Sequence, residues 1–304
     1  MFWAHPDFDD HEDVHVFTDP ATGLKAIIAI HSTHLGASSG GARYWHYAHE
    51  QDALTDALRL SRGMSYKNAM AGLPGGGGKG VILSDGSPKT AAQLRAFGKA
   101  IESLGGRYVT AEDVGMSEAD MGMIAQSTRY VSGLPVADGQ AGGNPGPTTA
   151  MGVYLGVKAA VAEGLGKTDM RGVHVAIQGV GSVGGGLARL LAADGARLTL
   201  SDVSLGRAET LAAELGAQAV APDAIMTVDA DVFSPNALGA ILDEYSIPRL
   251  AAPIVAGGAN NQLATAADAQ RPHERGIVYA PDYVINAGGI INVSAEYLGE
   301  TTAD

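Results

Sequence analysis

The sequence predicts an α/β protein of two domains, an N-terminal α/β domain and a second domain built as a doubly wound parallel sheet. Three observations predict it. Short apolar runs alternate with helical patterns along most of the 304 residues. In the second half, a buried-strand pattern enters a glycine turn, then a helix, then another strand closed by an acid. The 42 glycines have no fixed period and cluster at such junctions.

Composition narrows the classes. A hydrophobic content of 46% supports a real core, and a net charge of −13 argues against a general nucleic-acid or anionic-membrane surface, since both need a basic face. There is no cysteine, so disulfides, thiolate catalysis and Cys-ligated zinc are excluded. The acidic start lacks the basic and apolar regions of a signal peptide, and no apolar run is long enough to span a bilayer. A cytoplasmic protein is the expectation.

His5, His11 and His15 stand in the first segment; His11 and His15 are spaced to share a helix face, as in a metal pair or on a solvated surface, and no metal is expected. Val14-His15-Val16 alternates like a strand, Asp19-Pro20 and Thr22-Gly23 mark a turn, and residues 24–31 read as a second strand. Ser38 to Arg43, SSGGAR, follows, its paired glycines suggesting close backbone approach or a tight bend. Residues 50–64 carry a helical apolar stripe, and residues 65–70 end that helix.

Residues 63–83, GMSYKNAMAGLPGGGGKGVIL, put Lys67 and Lys79 on either side of Gly75 to Gly78. The glycines are expected to form a loop that takes positive φ and aims both ammonium groups into one cleft, with a short strand at 81–83. A phosphate-binding P-loop does not fit: Leu73 stands where its first glycine belongs and Gly80 where its Ser/Thr belongs. Residues 90–104 read as a helix and 107–110 as a strand ending on Ala111-Glu112-Asp113. Acids there are placed either for a cleft or to cap the helix expected at 117–125. Residues 133–146, rich in Gly, Pro and Asn, are the expected domain boundary, and 147–163 a long helix.

Residues 173–178 are a buried-strand pattern running into Gly179-Val180-Gly181-Ser182-Val183-Gly184 and a helix over 182–193. Residues 197–201 form the next strand, followed by Asp202. This context makes the G-x-G-x-x-G a Rossmann dinucleotide signature. The first glycine serves the tight turn, the second admits a pyrophosphate and the third lets helix and strand pack; Ser182 and Val183 open the helix whose N-terminus favours negative charge. Asp202 is placed for ribose hydroxyls and repels a 2′-phosphate, so NAD is expected over NADP. The alternation continues: a helix at 204–215, then strands at 218–220, 232–233, 253–255 and 277–280, and a last helix opened by Asn286-Ala287-Gly288-Gly289.

Ser39-Gly40-Gly41-Ala42-Arg43, Met64 to Asn68, Gly76-Gly77-Gly78-Lys79, Thr110 to Gly115, the glycine turn, Gly258-Ala259-Asn260-Asn261-Gln262 and Tyr283 to Gly289 run in order over nearly all of the chain. Together they resemble the leucine/phenylalanine/valine dehydrogenase branch of the glutamate dehydrogenase superfamily. The resemblance implies a substrate and catalytic domain over residues 1–140, an NAD domain over 141–285, and a C-terminal helix over 286–304 returning to the cleft. It implies NAD-dependent oxidative deamination of an apolar or aromatic L-amino acid to the 2-oxo acid and ammonia, by a homo-oligomer. Lys79 is implied as catalytic lysine and Asp113 as its acid–base partner. Lys67 would hold the substrate carboxylate with the backbone of Gly40 and Gly41. Met64, Ile290 and Val293, with Ser39, match the side-chain pocket, and Asn286 a segment near substrate. Thr149, Asn260 and Asn261 match segments near the nicotinamide. Small Ser39 favours phenylalanine- or tryptophan-like side chains over leucine. Two departures stand out: the family continues with further helices where this chain ends, and Gly75 replaces a bulkier apolar residue. Hydroxy-acid and methylene-folate oxidoreductases share the Rossmann domain without the paired lysines.

Overall fold

The computed structural model describes residues 2–135 and 142–300; part of the expected boundary stretch, residues 136–141, lies outside the described residues. The chain divides into two compact units, one of Met1–Pro145 with Ile290–Asp304 and one of Gly146–Gly289.

In the first unit, β1 (Asp13–Asp19) and β2 (Leu24–Ser32) form an antiparallel hairpin around Gly23, whose φ of 74° is open to glycine. His15 therefore sits in a strand, and the shared helix face expected for His11 and His15 does not exist. Instead His11 is buried, hydrogen-bonded through Nε2 to the Leu58 carbonyl, with its ring edge-to-face on His31. Then come β3 (Ser38–Ser39), β4 (Ala42–Trp45), helix α1 (Glu50–Met70), β5 (Gly76–Leu83), α2 (Ala91–Ser103), β6 (Tyr108–Val109) and α3 (Glu118–Ala125). The sheet runs β1-β2-β5-β3-β6, with β4 also paired to β5; β2 meets β5 antiparallel, while β3 and β4 lie parallel to it.

β2 is apolar nearly throughout because both of its faces are covered. Ile28 and Ile30 pack with Ile82, Phe97, Ile101 and Met121 on one side, and Ile27 and Ala29 with Ala53, Ala57 and Val81 on the other. Thr90 caps α2 by accepting from the Gln93 amide, and Ser117 with Asp120 forms a capping box on α3. The cap of α3 is thus Ser117, and Glu112 and Asp113 are left for other work.

The expected glycine loop is largely a strand. Gly76, Gly77 and Gly78 belong to β5, and none has positive φ. They are glycines for want of room. A Cβ at Gly76 would lie 1.9 Å from the Ser32 carbonyl oxygen, and one at Gly77 2.4 Å from that of Ser61 on α1. At Gly78 it would meet Ser38 and the Tyr108 ring at 2.7 Å.

The second unit begins with α4 (Gly146–Leu165), β7 (His174–Gln178), α5 (Ser182–Ala193), β8 (Arg197–Ser201), α6 (Leu205–Leu215) and β9 (Gln218–Ala219). It continues with β10 (Val232–Pro235), β11 (Ile254–Val255), α7 (Gln270–Glu274), β12 (Val278–Tyr279) and α8 (Asp282–Ile285). Gly216, in the left-handed region at φ 65°, ends α6. Every strand pair is parallel, in the order β12-β11-β10-β7-β8-β9. Counted within the unit this is 6-5-4-1-2-3, the doubly wound Rossmann order, with its switch point between β7 and β10. Val153, Val157, Leu187 and Leu191 cover the central strands on one side, and Ile225, Leu242, Ile247 and Leu250 pack with Phe233 and Val255. Helix α9 (Gly288–Leu298) follows, and from Ile290 it belongs to the first unit.

Candidate active site

Strand β5 carries Lys79 into the interior, where only 3% of it is exposed. The segment linking β3 to β4 crosses beside it. A Cβ on Gly40 would lie 1.9 Å from the Gly78 carbonyl oxygen, and one on Gly41 2.9 Å from the Asp113 Cβ. The paired glycines are therefore a close backbone approach, one of the two readings left open by the sequence. The buried Tyr108 hydroxyl donates to the Gly40 carbonyl at 2.7 Å and fixes the crossing. Met64 on α1 reaches the same spot, its Cγ 3.0 Å from where a Gly40 Cβ would be.

This crossing brings Gly40, Gly41, Lys79 and Asp113 together. Lys79 Nζ lies 3.0 Å from Asp113 Oδ2. Arg43, at the start of β4, donates from Nε to the same oxygen at 2.9 Å and from Nη1 to Asp56 Oδ2 at 2.6 Å. The Tyr47 hydroxyl donates to that Asp56 oxygen at 2.8 Å. One guanidinium thus joins two carboxylates from different elements, the use its rigid fork suits. The sequence reading gave Arg43 no role; its signal was the arginine closing SSGGAR, but its partners lie 13 and 70 residues away.

The charges set the protons. Burial pushes the Lys79 ammonium below the ordinary lysine range, against the pull of Asp113 and with the push of the Arg43 cation. Burial alone would raise the Asp113 carboxyl, but Lys79 and Arg43 hold it well below the usual carboxylate range. Arg43, desolvated yet flanked by Asp113 and Asp56, is held more firmly charged than a free arginine. The group therefore combines a carboxylate held ionised with a lysine that binds its proton less firmly than a free one.

Lys67 sits in the last turn of α1 and is also buried, so neither lysine is the solvated loop residue its surroundings in sequence allowed. On α9, Ile290 and Val293 are buried. Val293 lines a cavity of about 60 Å³ together with Ser39, Leu73, Gly75, Val109 and Ser132.

In the second unit the glycine turn has three distinct positions. Gly179 has φ 84°, in the left-handed region. A Cβ on Gly181 would meet nothing within 4 Å, whereas one on Gly184 would lie 1.9 Å from the Gly179 carbonyl oxygen. Ser182 and Val183 open α5. Asp202 ends the neighbouring strand and accepts from the Val180 amide at 3.0 Å and the Ser204 amide at 2.9 Å, with the Arg207 guanidinium at 3.5 Å. Thr149 lies half-buried in the first turn of α4. Asn286 donates to the Gly258 carbonyl at 3.1 Å and to Asn260 Oδ1 at 2.8 Å. Its own Oδ1 is buried with no hydrogen-bond partner among the described residues. Asn261 is in the left-handed region at φ 51° and donates its amide to Asp282. Among the described residues no cluster of His, Asp and Glu is arranged to hold a metal ion.

The first unit holds a buried group of Lys79, Asp113 and Arg43, and the second a glycine turn on a sheet of Rossmann order. Residues 11–130 match the family described as Glu/Leu/Phe/Val dehydrogenase, dimerisation domain, and residues 203–303 match Glutamate/Leucine/Phenylalanine/Valine dehydrogenase. Leucine dehydrogenase of Thermoactinomyces intermedius is 51% identical over 291 residues, covering 95% of this chain and 79% of that protein. Valine dehydrogenase of Streptomyces virginiae is 46% identical over 97% of this chain and 83% of its own length. The crystal structure of L-tryptophan dehydrogenase from Nostoc punctiforme is similar at a TM-score of 0.76 and 44% identity, covering 96% of this chain and 84% of that one. The chain belongs to the Glu/Leu/Phe/Val dehydrogenase family. It is an amino-acid dehydrogenase of the pyridine-nucleotide-dependent class.

Proposed function

We propose that this enzyme is an NAD-dependent L-amino-acid dehydrogenase that deaminates an apolar or aromatic L-amino acid to the 2-oxo acid and ammonia, reversibly, in the cytoplasm and as a homo-oligomer. Phenylalanine- and tryptophan-like side chains are favoured slightly over leucine and valine. The observation that carries the reading is the buried Lys79 Nζ, 3.0 Å from Asp113 Oδ2.

The residues of the second unit fit the cofactor. The space beside Gly181 suits a pyrophosphate at the N-terminus of α5. The Asp202 carboxylate, anchored by two amides, suits ribose hydroxyls and disfavours a 2′-phosphate, which supports NAD over NADP. When bound, NAD supplies the acceptor for the hydride that leaves the substrate Cα. Thr149, Asn260 and Asn261 belong to the segments proposed to border it.

The chain supplies binding and proton transfer. Lys67 holds the substrate carboxylate with the Gly40 and Gly41 backbone, and Asn286 belongs beside the substrate. Met64, Ile290 and Val293 bound its side chain. Asp113 takes the proton from the α-ammonium and hands it on to solvent before hydride departs, so that Lys79, with its lowered proton affinity, stays neutral. Lys79 then activates the water that attacks the imine. Asp113 accepts hydrogen bonds from the substrate nitrogen and passes protons to and from it. Its depressed pKa means that it holds a proton only transiently, while Lys79 is the standing base.

The test is NADH absorbance on mixing the protein with each L-amino acid at alkaline pH, with NADP in parallel. Turnover of phenylalanine, tryptophan, leucine and valine with NAD is expected. A preference for glutamate would overturn the side-chain assignment, and equal use of NADP the cofactor assignment.

A further inference from the structure

The four glycines before Lys79 are not equivalent. Side chains at Gly76, Gly77 and Gly78 are excluded, the first two by backbone carbonyls at 1.9 Å and 2.4 Å and the third by packed side chains at 2.7 Å. Gly75 is under no such constraint. Its φ is not in the left-handed region. A Cβ there would stand 3.6 Å from the Ala37 carbonyl oxygen, 3.7 Å from Asn68 Nδ2 and 3.8 Å from Ser39 Cβ, all ordinary contact distances. Neither backbone nor packing demands glycine at this position.

Its missing side chain leaves space. Gly75 borders the cavity of about 60 Å³, which Val293, Tyr297 and Leu298 of α9 also line. One water needs roughly 10–15 Å³ on such a measure, so the space admits a side chain of several non-hydrogen atoms. Ser39, one of the short side chains in the lining, directly precedes Gly40, which crosses the Lys79 strand. Ser39 and Gly75 thus line one cavity, and Ser39 is the chain neighbour of the glycine that crosses beside Lys79. The lining of the cavity is mixed, for the buried Ser132 stands among its apolar residues. Asn68 Oδ1, beside Gly75, is buried with no hydrogen-bond partner among the described residues.

We propose that Gly75 is the specificity-determining residue of this enzyme: the absence of a side chain there extends the substrate pocket and admits L-amino acids with side chains longer than leucine's, aromatic ones above all. The inference rests on the dehydrogenase reading and adds to it the residue that sets the length limit. An isobutyl group at this position would occupy the space that a ring needs and leave that of a short side chain open. Differences of one methylene in an apolar pocket discriminate by about 10–200-fold, and a whole side chain works at the upper end of that range.

The experiment compares wild type with Gly75→Ala and Gly75→Leu on valine, leucine, phenylalanine and tryptophan. In Gly75→Leu the kcat/KM ratio of tryptophan to valine should fall about 100-fold, through KM of the amino acid, with Gly75→Ala intermediate. A calorimetric titration with L-tryptophan and L-valine reads the same ratio in Kd without turnover, and melting curves confirm that the variants fold. Ratios unchanged in both measurements overturn the proposal. Wild type that binds the two amino acids selectively but never reduces NAD would instead overturn the dehydrogenase reading and leave Gly75 as the gate of a binding pocket. Wild type that binds neither would overturn both.

Discussion

At the scale of single residues, the central relation is that Asp113 answers to two cations of different kinds. Arg43 is charged at every accessible pH, while Lys79 is not, so the arginine keeps the carboxylate ionised whichever state the lysine is in. On the proposed mechanism deamination needs neutral Lys79, so the rate should rise with pH with an apparent pKa below the ~10.4 of free lysine. Lys79→Ala should lower kcat by about 10²–10⁴-fold while NAD still binds, as shown by a pH–rate profile beside a nucleotide titration. Arg43→Lys removes the fork that joins Asp113 to Asp56, and should move that profile as well as its height. A lower rate with an unmoved profile would reduce Arg43 to a structural part. Lys79 and Asp113 were legible in sequence because each stands in a short run of distinctive residues. Arg43 was not, since its importance lies in contacts with Asp56 on α1 and Asp113 beyond β6, which no local pattern records.

At the scale of elements, β5 shows where local reading fails. Four glycines in a row look like a loop, because glycine weakens strands and favours turns. Here the last three of the four lie in a strand, and the cause is the closeness of its neighbours: α1 on one face, Tyr108 and β3 on the other. Those constraints come from residues distant in sequence, such as Ser32 and Ser61. By contrast α5 and β8 were read with their observed bounds, Ser182–Ala193 and Arg197–Ser201, since apolar period and the acid at the strand's end agree there. The distinction among the glycines is measurable. Gly77→Ala places a methyl 2.4 Å from the Ser61 carbonyl and should destabilise by about 1–3 kcal/mol, the usual cost of overpacking. Gly75→Ala meets no contact under 3.6 Å and should leave the denaturant midpoint near that of wild type or above it. Equal losses in the two variants would show that the strand is not packed as described.

At the scale of the whole molecule, both units bury neutral histidines, and this ties stability to pH. In the first unit, burial lowers the His11 and His31 pKa values from 6.5, helped for both by the Arg62 cation and opposed by Asp9. His11 is held between the Asp9 amide, the Leu58 carbonyl and Ser61; His31 sits against Ser65 and Asp9. In the second unit, burial likewise lowers His174, which bonds the Asp229 carbonyl and Thr199 between β7 and β8, with Arg197 and Asp231 nearby. In each case the unfolded chain binds its proton first as pH falls. Their contribution is whole above pH 6.5, declines as pH drops below it, and is gone once the folded-state pKa is passed. Each histidine can add at most about 1.4 kcal/mol per pH unit to that slope. Carboxylates held low, Asp113 foremost, start to give up their share only as pH falls through the ordinary carboxylate range, so the histidine phase comes first. Melting temperature measured from pH 8 downward should therefore be level to about 6.5 and then fall before the depressed carboxylates titrate. His11→Gln and His174→Gln should each flatten part of that fall, the first reporting one unit and the second the other. A melting temperature flat down to the carboxylate range would mean that these rings stay solvated in the native protein.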